Sequence, residues 1–215
     1  MVLRVQSMNI SSIETGAGLT LKTEGLAERF DYEISIVVDD PGLKEGAIDF
    51  IDLVVRYVEA GYRVAPDETL GYGCWVTKMH LNDKRELLFF EQSPVTGVYV
   101  PGISTTLRLW AEQHAVCERA GADYAAPTFD QMIVISDGIL EGDPADGVRY
   151  PSPEHMSGWW LTTDRFDGDV KNLKTVHTQH VSVSRPDLVR FLALPFGYRF
   201  HGPTNDVWLD EKINN

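Results

Sequence analysis

Two long stretches of helical spacing, each closed by a glycine, stand among short alternating runs, and this pattern limits the folds open to the chain. In Leu43–Ala60 the apolar residues Ala47, Ile48, Ile51, Val54, Val55 and Val58 recur at helical spacing. Phe50, Leu53 and Tyr57 broaden that face, and Gly61 sits where a left-handed cap belongs. The second stretch runs to Ala120 with the stripe Leu107, Trp110, His114 and Cys117; Ser104 or Thr105 is placed to cap it and Gly121 to end it. Two helices without a regular βαβ alternation do not make a doubly wound parallel sheet. The expected class is α+β, with mixed, largely antiparallel sheets, two long helices in the N-terminal part and a small β-rich C-terminal domain with one short helix.

The shorter runs read as strands: Leu3–Ile10, Leu19–Thr23, Tyr32–Val38, Tyr62–Ala65, Gly73–Leu81 and Glu86–Gln92. Asn82-Asp83-Lys84-Arg85 forms a polar turn between the last two, predicting an antiparallel hairpin. Leu87-Leu88-Phe89-Phe90 is apolar on both faces, as a central strand would be. Val95–Pro101 reads as a looser extended connection. Beyond Pro127 the pattern is β-rich again, at Met132–Ser136, Val148–Tyr150, Trp159–Thr162 and Thr175–Val183. A short helix over Asp187–Leu194 follows Ser184-Arg185-Pro186, where proline suits a first helical turn. The loop Ala122–Gln131 is the expected boundary, giving an N-terminal domain over 1–126 and a C-terminal one over 131–215.

At 215 residues and a net charge of −13 the chain can bury a sizeable core, yet its charge opposes nucleic-acid phosphates and anionic lipid surfaces. The expectation is no nucleic-acid and no membrane partner, and fast association with a basic protein. No apolar run is long enough to span a bilayer, and Met1–Ile10 lacks the pattern of a secretory signal; both point to the cytoplasm. Cys74 and Cys117 are expected as buried free thiols, because two cysteines make no disulfide framework in a chain this long.

Catalytic patterns are absent from the sequence. There is no Gly-x-Ser-x-Gly elbow, no phosphate-binding loop and no dinucleotide fingerprint. His114 lies on the core-facing stripe of its helix. His177 and His180 are three apart on a strand-like segment, so their side chains would point to opposite faces, and a third ligand is missing. Asp164, Asp167 and Asp169 lack the central glycine and terminal glutamate of a calcium loop. No metal, no cofactor and no catalytic residue are expected. The acidic triplet follows Trp159-Trp160 closely, and adjacent strand residues face opposite ways, so one tryptophan can be core while the other is available as an anchor.

The C-terminal third has a layout of its own. Ile135-Ser136-Asp137-Gly138-Ile139-Leu140 leads to Gly147-Val148-Arg149-Tyr150, then to Ser157-Gly158-Trp159 and the acidic loop 164–169. Arg185-Pro186-Asp187-Leu188 and Pro195-Phe196-Gly197-Tyr198-Arg199-Phe200 complete it. This arrangement resembles the immunity-protein domain of bacterial polymorphic toxin and type VI secretion systems, over about 70 residues. Met156 and Trp160 depart from it, standing where the family usually places Asp and a charged residue.

The resemblance implies an antidote, not an enzyme. Its partner would be the C-terminal toxic domain of a cognate effector, blocked by stoichiometric occlusion through Trp159 or Trp160 with Asp164, Asp167 and Asp169. A nuclease toxin, whose cleft is basic, suits the charge. Two rivals differ in class: a metal-assisted hydrolase using His177 and His180, and an effector-binding adaptor or chaperone. Elemental analysis of untreated purified protein is expected to find no stoichiometric transition metal; one equivalent would favour the hydrolase.

Overall fold

A computed structural model describes residues 9–16, 18–65 and 67–213. Contacts divide the chain into two compact units. One runs to Leu70 and includes Thr77–Arg108; the other combines Gly71–Val76 with the chain from Leu109 onward. The architecture is α+β, with two sheets of mostly antiparallel strands. The stretch Ala122–Gln131 lies within the second unit, whose first helical residues are Leu109–Ala120 of the 104–120 helix.

The first sheet has the order β1-β2-β3-β6-β5-β4, with β7 also paired to β6. Its strands are β1 (Asn9–Thr15), β2 (Gly18–Glu24), β3 (Glu33–Val38), β4 (Thr69–Tyr72), β5 (Trp75–Leu81), β6 (Glu86–Gln92) and β7 (Tyr99–Pro101). As expected, β5 and β6 form an antiparallel hairpin and β6 is central; β3 joins it in parallel. Leu21, Ile34, Ile36, Leu87 and Phe89 face one side. The long helix α2 (Lys44–Glu59), which follows the short α1 (Ala27–Phe30), brings Phe50, Ile51 and Val54 to this unit's core, and Phe50 meets Phe89 edge-on at 5.0 Å.

Two expectations for this unit need correction, and one falls mainly outside it. Tyr62–Ala65 is not a strand. Its first residue is tied back to α2, donating its N–H to the Tyr57 carbonyl and stacking on the Tyr57 ring at 4.7 Å; the strand comes later, as β4. The helix α3 (Ser104–Ala120) does not take its cap from Ser104 or Thr105. Buried Glu91, on β6, accepts the N–H groups of Thr105 and Thr106 at 2.8 and 2.6 Å. These bonds satisfy two of the N–H groups that a helix start leaves without intrahelical partners. The predicted strand Leu3–Ile10 lies largely outside the described residues, and β1 begins at Asn9.

The second sheet has the order β11-β8-β10-β9-β12-β13. It comprises β8 (Met132–Ile135), β9 (Asp146–Arg149), β10 (Met156–Thr162), β11 (Lys174–His177), β12 (Tyr198–His201) and β13 (Asp206–Leu209). Ile133, Ile135, Trp159, Leu161 and Phe200 line its inner face with Leu109, Val116, Cys117, Val181, Phe191 and Leu192. Cys74 and Cys117 are buried free thiols. His114 is sandwiched between Trp110 and Tyr124, each ring centroid 4.1 Å away, and burial pushes its pKa down.

The predicted strand Thr175–Val183 ends early. After His177 the chain turns into α4 (Thr178–Ser184), which buries Thr178, Val181 and Ser182 on one helical face. The β-branched residues that suggest a strand here serve a helix, started by N–H bonds from Thr178 and Gln179 to the carbonyls of Gln131 and Phe129. The predicted helix Asp187–Leu194 is shorter, α5 (Pro186–Val189), followed by turns. Among the described residues the C-terminal part carries the short helices α4 and α5.

The Glu33 carboxylate organises the edge of the first unit. It accepts the Thr23 hydroxyl at 2.6 Å and the N–H groups of Gly25, Leu26 and Ala27. Burial alone would raise its pKa, but these bonds outweigh burial and hold it below the ordinary 4.5. A depressed carboxylate contributes stability above its unfolded pKa that is lost as pH falls through its folded one. Glu33→Gln is therefore expected to lower stability at neutral pH and to flatten the decline below pH 4.5, read by urea titrations across that range.

Candidate partner-binding face

Across the second sheet, paired residues share a face. Trp160 is paired with Val134 and Val148, Val148 with Arg199, and Arg199 with Trp208. These side chains form one row on the face away from Trp159. The next row is Thr162, Asp146, His201 and Asp206. Trp208 is 45% exposed, and with Val148, Arg199, His201, Asp146 and Thr162 it borders a groove of about 200 Å³. Trp160 is half-buried and meets Tyr150 edge-on at 5.7 Å. The row is an aromatic and aliphatic strip with Trp160 and Trp208 along it.

Charge is arranged around that strip. Arg199 Nε bonds Asp210 at 2.7 Å, and His201 Nδ1 lies 2.5 Å from Asp146. Beyond Thr162 the chain enters the acidic loop, where Asp164, Asp167 and Asp169 are all exposed. Asp167 accepts from the Asp169 N–H and from Asn172, and Asp169 accepts from the Lys171 N–H, so these two carboxylates also shape the loop. Asp164 has no hydrogen bond or ion pair among the described residues, which leaves it the most available of the three.

The inner face explains the motif residues. Trp159 is wholly buried, with its Nε1 donating to the Leu192 carbonyl at 2.9 Å. It cannot reach a partner, so of the tryptophan pair Trp160 alone is accessible. Buried Arg149, paired with Trp159 across the strands, donates to the carbonyls of Ser157, Ala125, Leu192 and Leu194. Its guanidinium lies 4.9 Å from the Phe196 ring. Burial pulls its pKa down to about 10, so it stays charged at neutral pH. Arg185 clasps Asp187 with two nitrogens and holds the 139–143 turn by the carbonyls of Ile139 and Asp143. At Gly158, with φ +82°, a Cβ would lie 2.3 Å from the Tyr150 carbonyl oxygen, where the β8–β10 register shifts.

Residues 112–210 match a known family model. They are similar to the Imm33-like domain. Comparison with curated proteins and with solved structures found no match. The Imm33-like segment begins inside α3, close to the start of the second unit at Leu109, and ends at Asp210, just after β13. Arg149, Gly158, Trp159 and Arg185, the motif residues of the resemblance, form the frame of this domain. The row on its outer face is made by Trp160, Val148, Arg199 and Trp208, whose neighbours along the strands point inward.

The structure separates the remaining candidates. His177 ends β11 and His180 lies in α4, so the strand argument against their meeting does not hold; their rings are 5.9 Å apart. Among the described residues no three His, Cys, Asp or Glu side chains are grouped to hold a metal. No helix of the described chain is long and apolar enough to cross a membrane. Sequence reasoning missed Trp208, although Val207-Trp208-Leu209 is a run of strand-favouring apolar residues just past the turn at Gly202–Asn205.

Frame and face respond differently to substitution. Arg149→Lys keeps the charge but loses the fork, leaving buried carbonyls without donors, and is expected to cost roughly 2–4 kcal/mol. Trp208→Ala, on the open face, is expected to change stability by about 0.5 kcal/mol or less. Urea unfolding followed by tryptophan fluorescence and far-UV circular dichroism measures both.

Proposed function

We propose that this protein is a bacterial immunity protein that binds the toxic domain of a cognate secreted effector and neutralises it by occlusion, without turnover. The observation that carries this reading is the Imm33-like domain over residues 112–210. The charge supports it: that segment has 15 Asp and Glu against eight Lys and Arg, a net −7 of the chain's −13. A basic nuclease cleft is a suitable target, since an acidic inhibitor imitates the charge of its substrate and gains a fast on-rate. The effector belongs to a polymorphic toxin or type VI system, and neutralisation takes place in the cytoplasm.

The outer face of the second sheet is the binding surface in this reading. Trp160 and Trp208 anchor the partner, while Asp164, Asp167 and Asp169 at its rim attract it. The two sets have separable kinetic signatures. Asp→Lys at all three loop positions is expected to slow association at least 10-fold at low salt and reduce its salt dependence. Trp160→Ala with Trp208→Ala is expected to speed dissociation by 10-fold or more, about 1.4 kcal/mol or greater. Survival of cells expressing the toxin domain, beside surface-binding kinetics, reads both. Full protection and unchanged rates in all variants would move the interface elsewhere.

A further inference from the structure

Against the acidic character of the chain, one cleft of the second unit is locally positive. It has a volume of about 280 Å³ and is lined by Glu112, Ala115, Val116, Arg119, Arg190 and Asn205. The first four lie on α3 at positions i, i+3, i+4 and i+7, on one helical face. Arg190 follows α5, and Asn205 sits in the turn between β12 and β13 at φ +57°. Three separate segments thus bring two guanidinium groups and an amide to one cleft.

The donors are underused. Arg190 makes one ion pair, from Nη2 to Glu112 Oε2 at 3.0 Å, and its Nε is buried with no hydrogen-bond partner. Arg119 is exposed and has no hydrogen bond or ion pair among the described residues. Glu112 neutralises one of the two arginines, so the lining residues retain one net positive charge within a domain of net −7. A planar guanidinium fork matches the paired oxygens of a carboxylate or phosphate, and two such forks around a concave site are a recurring way to hold one.

We propose that this cleft is an oxyanion-binding site, with Arg119 and Arg190 as the charged contacts and the Asn205 amide as a third donor. Its ligand is a carboxylate or phosphate group, supplied either by a peptide or as a free ion. The site is independent of the outer sheet face and of the immunity reading. Exposed and solvated, it binds weakly, with a Kd on the order of 1 mM for a small ion.

The test is NMR titration of the arginine Nε–Hε signals of the full chain. Inorganic phosphate and an acetylated dipeptide ending in a free carboxylate are each added at constant ionic strength, with sodium chloride as control. The expected result is a saturable shift of the Arg119 and Arg190 signals that chloride does not produce. Arg119→Gln, at an exposed position, should weaken it at least 10-fold. Arg190→Lys, which keeps the charge beside Glu112 but not the fork, should also weaken it. Saturation by phosphate alone assigns a free-ion ligand, and saturation by the peptide assigns a terminal or side-chain carboxylate. Shifts that are linear, equal to those from chloride, or unchanged in Arg119→Gln overturn the proposal.

Discussion

A buried guanidinium holds the Imm33-like domain together. Arg149 is 5% exposed and has no carboxylate partner among the described residues; its charge is balanced by backbone carbonyls and by the faces of Trp159 and Phe196. The oxygens it collects come from the Ala125 loop, from Ser157 on β10 and from the turn after α5. Each would otherwise be an unmet acceptor at about 1–3 kcal/mol. One side chain therefore fixes the loop after α3, the edge of two strands and the C-terminal turn. The inner face is committed to this network, and the outer face keeps Trp160 and Trp208 within reach of solvent.

Under the proposed function, that division lets an acidic protein bind specifically. Charge alone selects no partner, because it acts over a Debye length and repels or attracts whole surfaces. Specificity needs fixed apolar groups, and the rigid sheet supplies them at set spacing: Trp160 and Trp208 lie on the same row, separated by β9 and β12. Side chains on a sheet lose less entropy on binding than those on loops, since the backbone beneath them is already ordered. The acidic loop, by contrast, extends past the end of β10, and under the proposed function it serves the long-range part of the encounter.

Much of this was legible in the sequence where a residue type has one main use. The two glycine-stopped periodic stretches became α2 and α3, and the β5–β6 hairpin stood where its polar turn required. The C-terminal motifs pointed to an immunity-type domain before any contact was known. What failed depended on tertiary partners. Nothing local reveals that Glu91 caps α3, because a carboxylate on a strand acquires that role only when the helix start arrives. Val181 and Val183 favour a strand by propensity and lie on a helix because the core needs them there.

The candidate face was half legible. Adjacent tryptophans on a strand imply one inside and one outside, but the sequence does not say which, and the pairing of Trp159 with Arg149 decides it. Trp208 escaped notice because its place beside Arg199 depends on the last hairpin. Hydroxyl-radical footprinting of the protein alone and saturated with its toxin domain tests the account most directly. Trp159 should stay unreactive in both states, while Trp160 and Trp208 should be oxidised in the free protein and protected in the complex. If Trp160 and Trp208 remain as reactive in the complex as in the free protein, the outer face of the second sheet is not where the partner binds.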